Sequence, residues 1–223
     1  MDPKFWLRRW EKGETGWHRD DVHTELEAHW RKLELPEKSR VLVPLCGASP
    51  DMAWLAAQGH EVIGVELSRL AVETFLKRHR VYHVAMEELG FRTYHGGRYQ
   101  LWCGDFFATP ADLLASISAV YDRASLVALP PDLRERYTRF LADHLAPGTP
   151  MLLISLTYDQ SEMNGPPFSV PPAEVERLLA PSFDIAMLNH ASALDETMKN
   201  RGLSALEEHT YLLRRKPDAG AKA

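Results

Sequence analysis

The stretch from Arg40 to Ser68, R-V-L-V-P-L-C-G-A-S-P-D-M-A-W-L-A-A-Q-G-H-E-V-I-G-V-E-L-S, admits few folds. Val41 to Leu45 is an apolar run too short for a helix and rich in β-branched residues, the pattern of a strand buried on both faces. A turn follows at Cys46-Gly47-Ala48-Ser49-Pro50. Ser49 then stands as N-cap and Pro50 as first helical residue of a helix over Asp51 to Gln58, closed by Gly59. Glu61 to Val65 is a second apolar strand, and it ends in Glu66. Strand, turn, helix, strand and acidic residue in this order form the opening βαβ unit of a nucleotide-binding sheet.

The chemistry follows from that geometry. A helix N-terminus offers unpaired N–H groups, and a carboxylate about 20 residues past the turn can accept both hydroxyls of an adenosine ribose. Gly47 and Glu66 have that spacing. The dinucleotide fingerprint needs three glycines, whereas this turn holds Gly47 alone, so a pyrophosphate has little room. A nucleoside without phosphates suits the turn better, and S-adenosylmethionine is such a ligand.

At 223 residues the chain is long enough for one well-buried core and short for two, and a single domain over 1–223 is expected. A net charge of −5 gives no electrostatic reason to expect nucleic acid or an anionic membrane as partner. No apolar run reaches the roughly 18 residues of a membrane span, and M-D-P-K-F-W lacks the form of a signal peptide. Two cysteines, Cys46 and Cys103, suit a reducing cytoplasm and are expected to be buried thiols ending neighbouring strands. A cytoplasmic monomer is expected.

Three of the six tryptophans fall in Asp2 to His18. Phe5, Trp6 and Trp10 have helical spacing, and Gly13 and Gly16 then leave Trp17 in a loop. Such a segment either buries one aromatic stripe or acts as a lid, because aromatic faces attract a cation such as a sulfonium. Residues 1–35 are thus expected to be an aromatic arm, with a helix over Asp20 to Leu33. Leu67 to Arg80 forms a helix with Ser68 as N-cap. Phe91 to Phe107 contains a hairpin turn at His95-Gly96-Gly97, and its second strand runs into Cys103-Gly104-Asp105. Asp105 can receive an adenine amino group or cap the next turn. His79 and His83 are four apart, but no acidic or thiol partner sits at a matching offset, and no metal is expected.

Ala119 to Leu129 is the next strand and its exit, with Arg123 a charge where the apolar run ends. Ligands of open α/β sheets bind at strand C-termini. Pro131 to Leu145 is an amphipathic helix and Met151 to Tyr158 the most apolar strand. Asp159 to Pro172 is a Pro/Gly-rich loop long enough to be functional. Strands over Phe183 to Asn189 and His209 to Arg215 close a doubly wound sheet with an antiparallel end, and 217–223 reads as a flexible tail.

The segments F-W-L-R-R-W-E-K-G-E-T-G-W-H, V-L-V-P-L-C-G-A-S-P-D-M-A-W-L-A-A-Q-G-H-E-V-I-G-V-E-L-S, C-G-D-F-F and Y-D-R-A-S-L-V-A-L-P-P together resemble the thiopurine S-methyltransferases, above all the bacterial ones. The resemblance covers nearly the whole chain in the same order. It implies a class I methyltransferase fold with a mostly parallel seven-stranded sheet, S-adenosylmethionine as donor, and an aromatic or heterocyclic thiol as acceptor. By position it implies donor contacts from Trp10, Leu45, Glu66 and Arg123, and a backbone contact to the adenine at Gly104 and Asp105. Trp17 would be an acceptor wall, and Lys199 or Arg201 stands nearest a second, acceptor-side arginine. Arg123 can hold either the donor's carboxylate or the acceptor anion. No side chain is needed as nucleophile, since the acceptor's own sulfur attacks. Methylation of selenium or tellurium oxyanions or another small thiol, hydride transfer with a dinucleotide, and nucleoside binding without catalysis are the competing readings.

Overall fold

A computed structural model describes residues 3–16 and 18–218. The chain falls into two compact units, Met1–Tyr121 and Asp122–Ala223.

The first unit begins with helices α1 (Pro3–Glu11) and α2 (Thr24–His29), the latter continued by a tight 3₁₀ turn over Trp30–Leu33. The expected helix over Asp20 to Leu33 starts late, because His23 takes the cap and its Nδ1 accepts from the Glu25 N–H. Then follow β1 (Arg40–Pro44), α3 (Asp51–Ala57), β2 (Glu61–Glu66) and α4 (Arg69–Arg78). Next come β3 (Val84–Glu88), β4 (Phe91–Gly96), β5 (Tyr99–Cys103), α5 (Ala111–Ala115) and β6 (Ala119–Arg123), whose last two residues belong to the second unit. The sheet of the first unit runs β3-β4-β5-β2-β1-β6. β2 lies parallel to β1 and β5, and β1 parallel to β6, while β4 is antiparallel to β3 and β5.

Burial explains this order. Val41, Leu42 and Val43 of β1 and Val62, Ile63 and Val65 of β2 are all buried, as strands covered on both faces must be. Each such side chain contributes about 1.5–3 kcal/mol relative to exposure. Helix α4 buries Ala71, Val72, Phe75 and Leu76, one stripe at helical spacing, with Ser68 Oγ accepting from the Ala71 N–H as N-cap.

The second unit holds α6 (Pro131–His144), β7 (Pro150–Thr157), α7 (Pro172–Leu179), β8 (Phe183–Ser192), α8 (Glu196–Asn200) and β9 (Glu207–Arg215). β9 pairs antiparallel with both β7 and β8. Nine strands are present among the described residues where seven were expected. The count exceeds seven through β3 and β4; β4 is the first arm of the hairpin expected at His95-Gly96-Gly97, whereas β3 went unseen in the sequence because four of its five residues are exposed and carry no apolar alternation. Of the tail over 217–223, residues 219–223 lie outside the described residues.

Candidate functional site

The site grows out of the turn after β1. Leu45 takes a left-handed backbone, φ 46°, which costs an L-residue roughly 1–2 kcal/mol. The Cys46 N–H still reaches the Val65 carbonyl at 3.1 Å, so β1 and β2 stay paired past the point where the chain swings away. Gly47 follows with φ 54°. Side chains rarely adopt that conformation, and a Cβ there would lie 3.3 Å from Cζ2 of Trp10. The indole of Trp10, buried on α1, thus lies directly against the backbone of the turn. Helix α3 begins at Asp51 with Pro50 in the cap position, and Ser49 Oγ accepts from the Asp51 N–H at 3.2 Å.

Glu66 faces the same turn from the end of β2. Its Oε2 accepts from the Gly47 N–H at 2.8 Å and its Oε1 from the Ser68 N–H at 2.7 Å. A carboxylate has about four lone-pair sites, so these bonds leave Glu66 with acceptor capacity toward the turn. Burial pushes the Glu66 carboxyl above the usual carboxylate range, partly offset by the N–H groups of Ser68, Gly47 and Leu67. Burial likewise drives the Cys46 thiol far up and the Cys103 thiol to about 11, with Glu66 adding to both. Both thiols are therefore protonated at neutral pH and poor nucleophiles. The two cysteines do not end neighbouring strands as expected, for β2 lies between β1 and β5.

On the other side of β2, the Gly104 N–H donates to the Glu66 carbonyl at 2.9 Å and carries β5 one residue further. A Cβ on Gly104 would lie 2.5 Å from the Phe91 ring. Glycine is what lets the backbone pass that close. Asp105 Oδ1 accepts from the Phe107 N–H at 3.0 Å and caps the tight turn at Phe106–Ala108. The residue is exposed, so capping leaves its second oxygen open to solvent.

Trp10, Leu45, Gly47, Glu66, Gly104 and Asp105 all fall in the first unit, whereas Trp17 lies outside the described residues. Arg123 closes β6 in the second unit. Its neighbour Asp122 is buried and accepts from Tyr137 Oη at 2.7 Å and from the N–H groups of Ser125 and Leu126. Those bonds turn the chain sharply after Arg123, where Ala124 has φ 68°. The Asp159 to Pro172 loop is closely tied: Tyr158 Oη donates to the Pro167 carbonyl, Gln160 Nε2 to the Met163 carbonyl, and Arg201 to the Pro166 carbonyl. Lys199 is instead paired with Glu196 in solvent. His79 packs on Phe75 and His83 meets the Val81 carbonyl. Among the described residues no three His, Cys, Asp or Glu side chains converge as metal ligands, and no helix is long and apolar enough to cross a membrane.

Sequence reasoning passed over Asp51. It is 1% exposed, begins α3 directly after the turn, and accepts from the His23 N–H at 2.8 Å and from Tyr121 Oη at 2.9 Å. An Asp in a first helical turn reads as a favourable dipole partner, and nothing in its own neighbourhood announces that it is buried.

A parallel core strand pair with a tight turn after β1 and an acidic residue closing β2 is the architecture of a class I methyltransferase. Solved structures share it: a SAM-dependent methyltransferase from Anabaena variabilis superposes with TM-score 0.68 at 14% identity, covering 96% of this chain and 95% of its own. A Burkholderia thailandensis N1-methyltransferase solved with 1,6-didemethyltoxoflavin and S-adenosylhomocysteine gives TM-score 0.61 at 18% identity, with 96% and 87% covered. The sequence narrows the class. The thiopurine S-methyltransferase family profile matches residues 1–216. The thiopurine S-methyltransferases of Pseudomonas fluorescens and Azotobacter vinelandii are each 44% identical, over 96% and 97% of this chain and 99% and 100% of theirs. The chain belongs to the thiopurine S-methyltransferase family, and it is a methyltransferase.

Proposed function

We propose that the enzyme uses S-adenosylmethionine to methylate the sulfur of aromatic or heterocyclic thiols such as thiopurines. The observation that carries the donor half is the buried Glu66 carboxylate, held by two backbone N–H groups beside a one-glycine turn that Trp10 covers. These residues fit a nucleoside that has ribose hydroxyls to donate and no pyrophosphate to house. The Burkholderia neighbour, which binds S-adenosylhomocysteine, supports the same reading. The acceptor half rests on the family and on its relatives' names.

In this reading Glu66 takes the ribose hydroxyls, and the Gly47 turn admits the donor's backbone-proximal atoms. Gly104 and Asp105 meet the adenine, and the face of Trp10 lies toward the sulfonium. Leu45 shapes the floor of the turn. Arg123 holds a carboxylate or the acceptor anion, and Trp17 walls the acceptor. The donor supplies an electrophilic methyl on a positively charged sulfur. The acceptor's thiolate sulfur forms the new S–C bond as the sulfonium S–C bond breaks, and S-adenosylhomocysteine leaves neutral. A heterocyclic thiol ionises near neutral pH, so the chain need not furnish a strong base. Its task is orientation and exclusion of water while charge is neutralised.

The test is methyl transfer from labelled S-adenosylmethionine to 6-mercaptopurine and to an aromatic thiol, with selenite and tellurite in parallel. Turnover of the thiols is expected to exceed that of the oxyanions. Turnover of the oxyanions alone would replace the thiol reading with a metalloid one.

A further inference from the structure

The donor turn is held in an unfavourable shape. Leu45 and Gly47 are both left-handed within three residues, and Leu45 has a Cβ. Strained backbone persists only where its surroundings over-determine it. One end of the turn is fixed by the pairing of β1 with β2 and by Glu66 on the Gly47 N–H. The other end is fixed by Asp51.

The Asp51 carboxylate reaches in two directions from the first turn of α3. Oδ1 accepts from the backbone N–H of His23, where the N-terminal arm joins α2, and Oδ2 accepts from the hydroxyl of Tyr121 on β6. All three residues are at most 3% exposed. Tyr121 is itself held in place: the Trp30 ring meets it edge-on at 6.3 Å, and Trp30 Nε1 donates to His60 Nε2 at 3.0 Å. A buried charge costs free energy unless paired, and here its partners are a backbone N–H and a hydroxyl rather than a cation. Between Trp10 and this anchor the described residues are tied back: the Gly13 N–H donates to the Trp10 carbonyl, the Trp10 and His18 rings meet at 6.4 Å, and Arg78 holds both His18 and Asp20.

We propose that Asp51 is a positioning residue for donor capture: by joining the root of the arm and Tyr121 of β6 to the start of α3, it holds the Leu45–Pro50 turn and Trp10 in the shape that binds the donor. This rests on the reading of that turn as the S-adenosylmethionine site. Asp51 acts through Gly47 and Trp10 and does not touch the reacting atoms.

The experiment is calorimetric titration of S-adenosylhomocysteine into the full chain, with melting temperature and tryptic cleavage at the exposed Lys12 followed alongside. Asp51→Ala is expected to weaken binding about tenfold, since it removes the carboxylate to which both the His23 N–H and the Tyr121 hydroxyl donate. It is also expected to make Lys12 cleavage insensitive to the ligand. Asp51→Asn keeps an acceptor for the His23 N–H and an amide that can donate to the Tyr121 oxygen, so it is expected to restore most of the affinity. Trp10→Ala is expected to cost less in the Asp51→Ala background than in the wild type, because the two act through one contact. Unchanged affinity in Asp51→Ala, or full multiplication of the two losses, would overturn the proposal.

Should Asp51→Ala fail to fold, His23 supplies the second route. Its φ of −71° is already that of proline. His23→Pro and His23→Ala both lose the ring, and only the first loses the N–H. Weaker binding by His23→Pro than by His23→Ala supports the proposal, and equal binding refutes it. A wild-type chain that binds no S-adenosylhomocysteine defeats the donor-site reading itself, whereas wild-type binding with indifferent variants defeats only the role of Asp51.

Discussion

Glu66→Ala is expected to weaken S-adenosylhomocysteine binding by about a hundredfold or more while the chain stays folded. The expected size comes from the hydrogen bonds at stake. Bonds to a charged group are worth about 1.5–3 kcal/mol each, and the ribose would offer two of them. The variant also strips the Gly47 and Ser68 N–H groups of their acceptor, so the turn that faces the donor loosens. Calorimetry reads the loss directly. Glu66→Gln separates charge from shape, since it keeps one carbonyl acceptor and cannot ionise.

The raised carboxyl of Glu66 adds a dependence on pH. A folded-state pKa above the ordinary value means that the proton is held more tightly in the folded chain. The group's contribution to stability is then full below the ordinary carboxylate range and declines as pH rises through the raised value. Donor affinity moves the opposite way, because the ribose hydroxyls need the ionised acceptor. Affinity is expected to fall as pH drops through that raised value, earlier than an exposed glutamate would allow. In Glu66→Gln this part of the profile is expected to be flat. A wild-type profile as flat as that of Glu66→Gln would remove the carboxylate from the ribose.

Gly64→Ala is expected to lower the melting temperature by several degrees. Gly64 lies mid-way along β2, where a Cβ would come within 2.7 Å of Leu101 Cδ2, 2.9 Å of Cys46 Sγ and 3.2 Å of Met52 Sδ. All three neighbours are buried, Leu101 and Met52 completely, so none has space to retreat. Overpacking of this kind costs about 1–3 kcal/mol, and in a chain of this length each kcal/mol is worth roughly 2–4 °C. Because Cys46 begins the donor turn, the strain is also expected to reach Gly47 and reduce affinity. Gly16→Ala, where a Cβ meets nothing, is the control and is expected to leave the melting temperature unchanged. Equal melting of the two variants would show that the core around β2 is looser than its geometry implies.

The parts of this molecule that could be read from the sequence are those whose signals are local. β1, the turn, α3 and β2 announce themselves through an unbroken apolar run, a Ser-Pro start and a glycine stop, all within 29 residues from Arg40 to Ser68. Glu66 follows because an acidic residue ending an apolar strand has few other reasons to be there. The N-cap of α4 and the hairpin at Gly96-Gly97 are local in the same sense. What escaped is either exposed or assembled from afar. β3 lies at a sheet edge, and its Val84 and Met86 face solvent. α5 and α8 span five residues each, too short for a helical period to show. Asp51 gains its meaning from His23, 28 positions away, and from Tyr121, 70 away. No pattern in the sequence couples those three before the sheet brings them together. The cysteines went astray for a related reason: strand order is a property of the whole sheet, and β2 intervenes between the strands that carry them.

The most direct measurement is calorimetric titration of the full chain with S-adenosylhomocysteine, with NADH titrated in parallel. Saturable binding of the first in the micromolar range and none of the second is expected if, as proposed, the Gly47 turn seats a ribose on Glu66 and leaves a pyrophosphate no room. A folded sample that ignores S-adenosylhomocysteine, or that takes NADH equally well, would contradict the donor site built here around Trp10, Gly47 and Glu66.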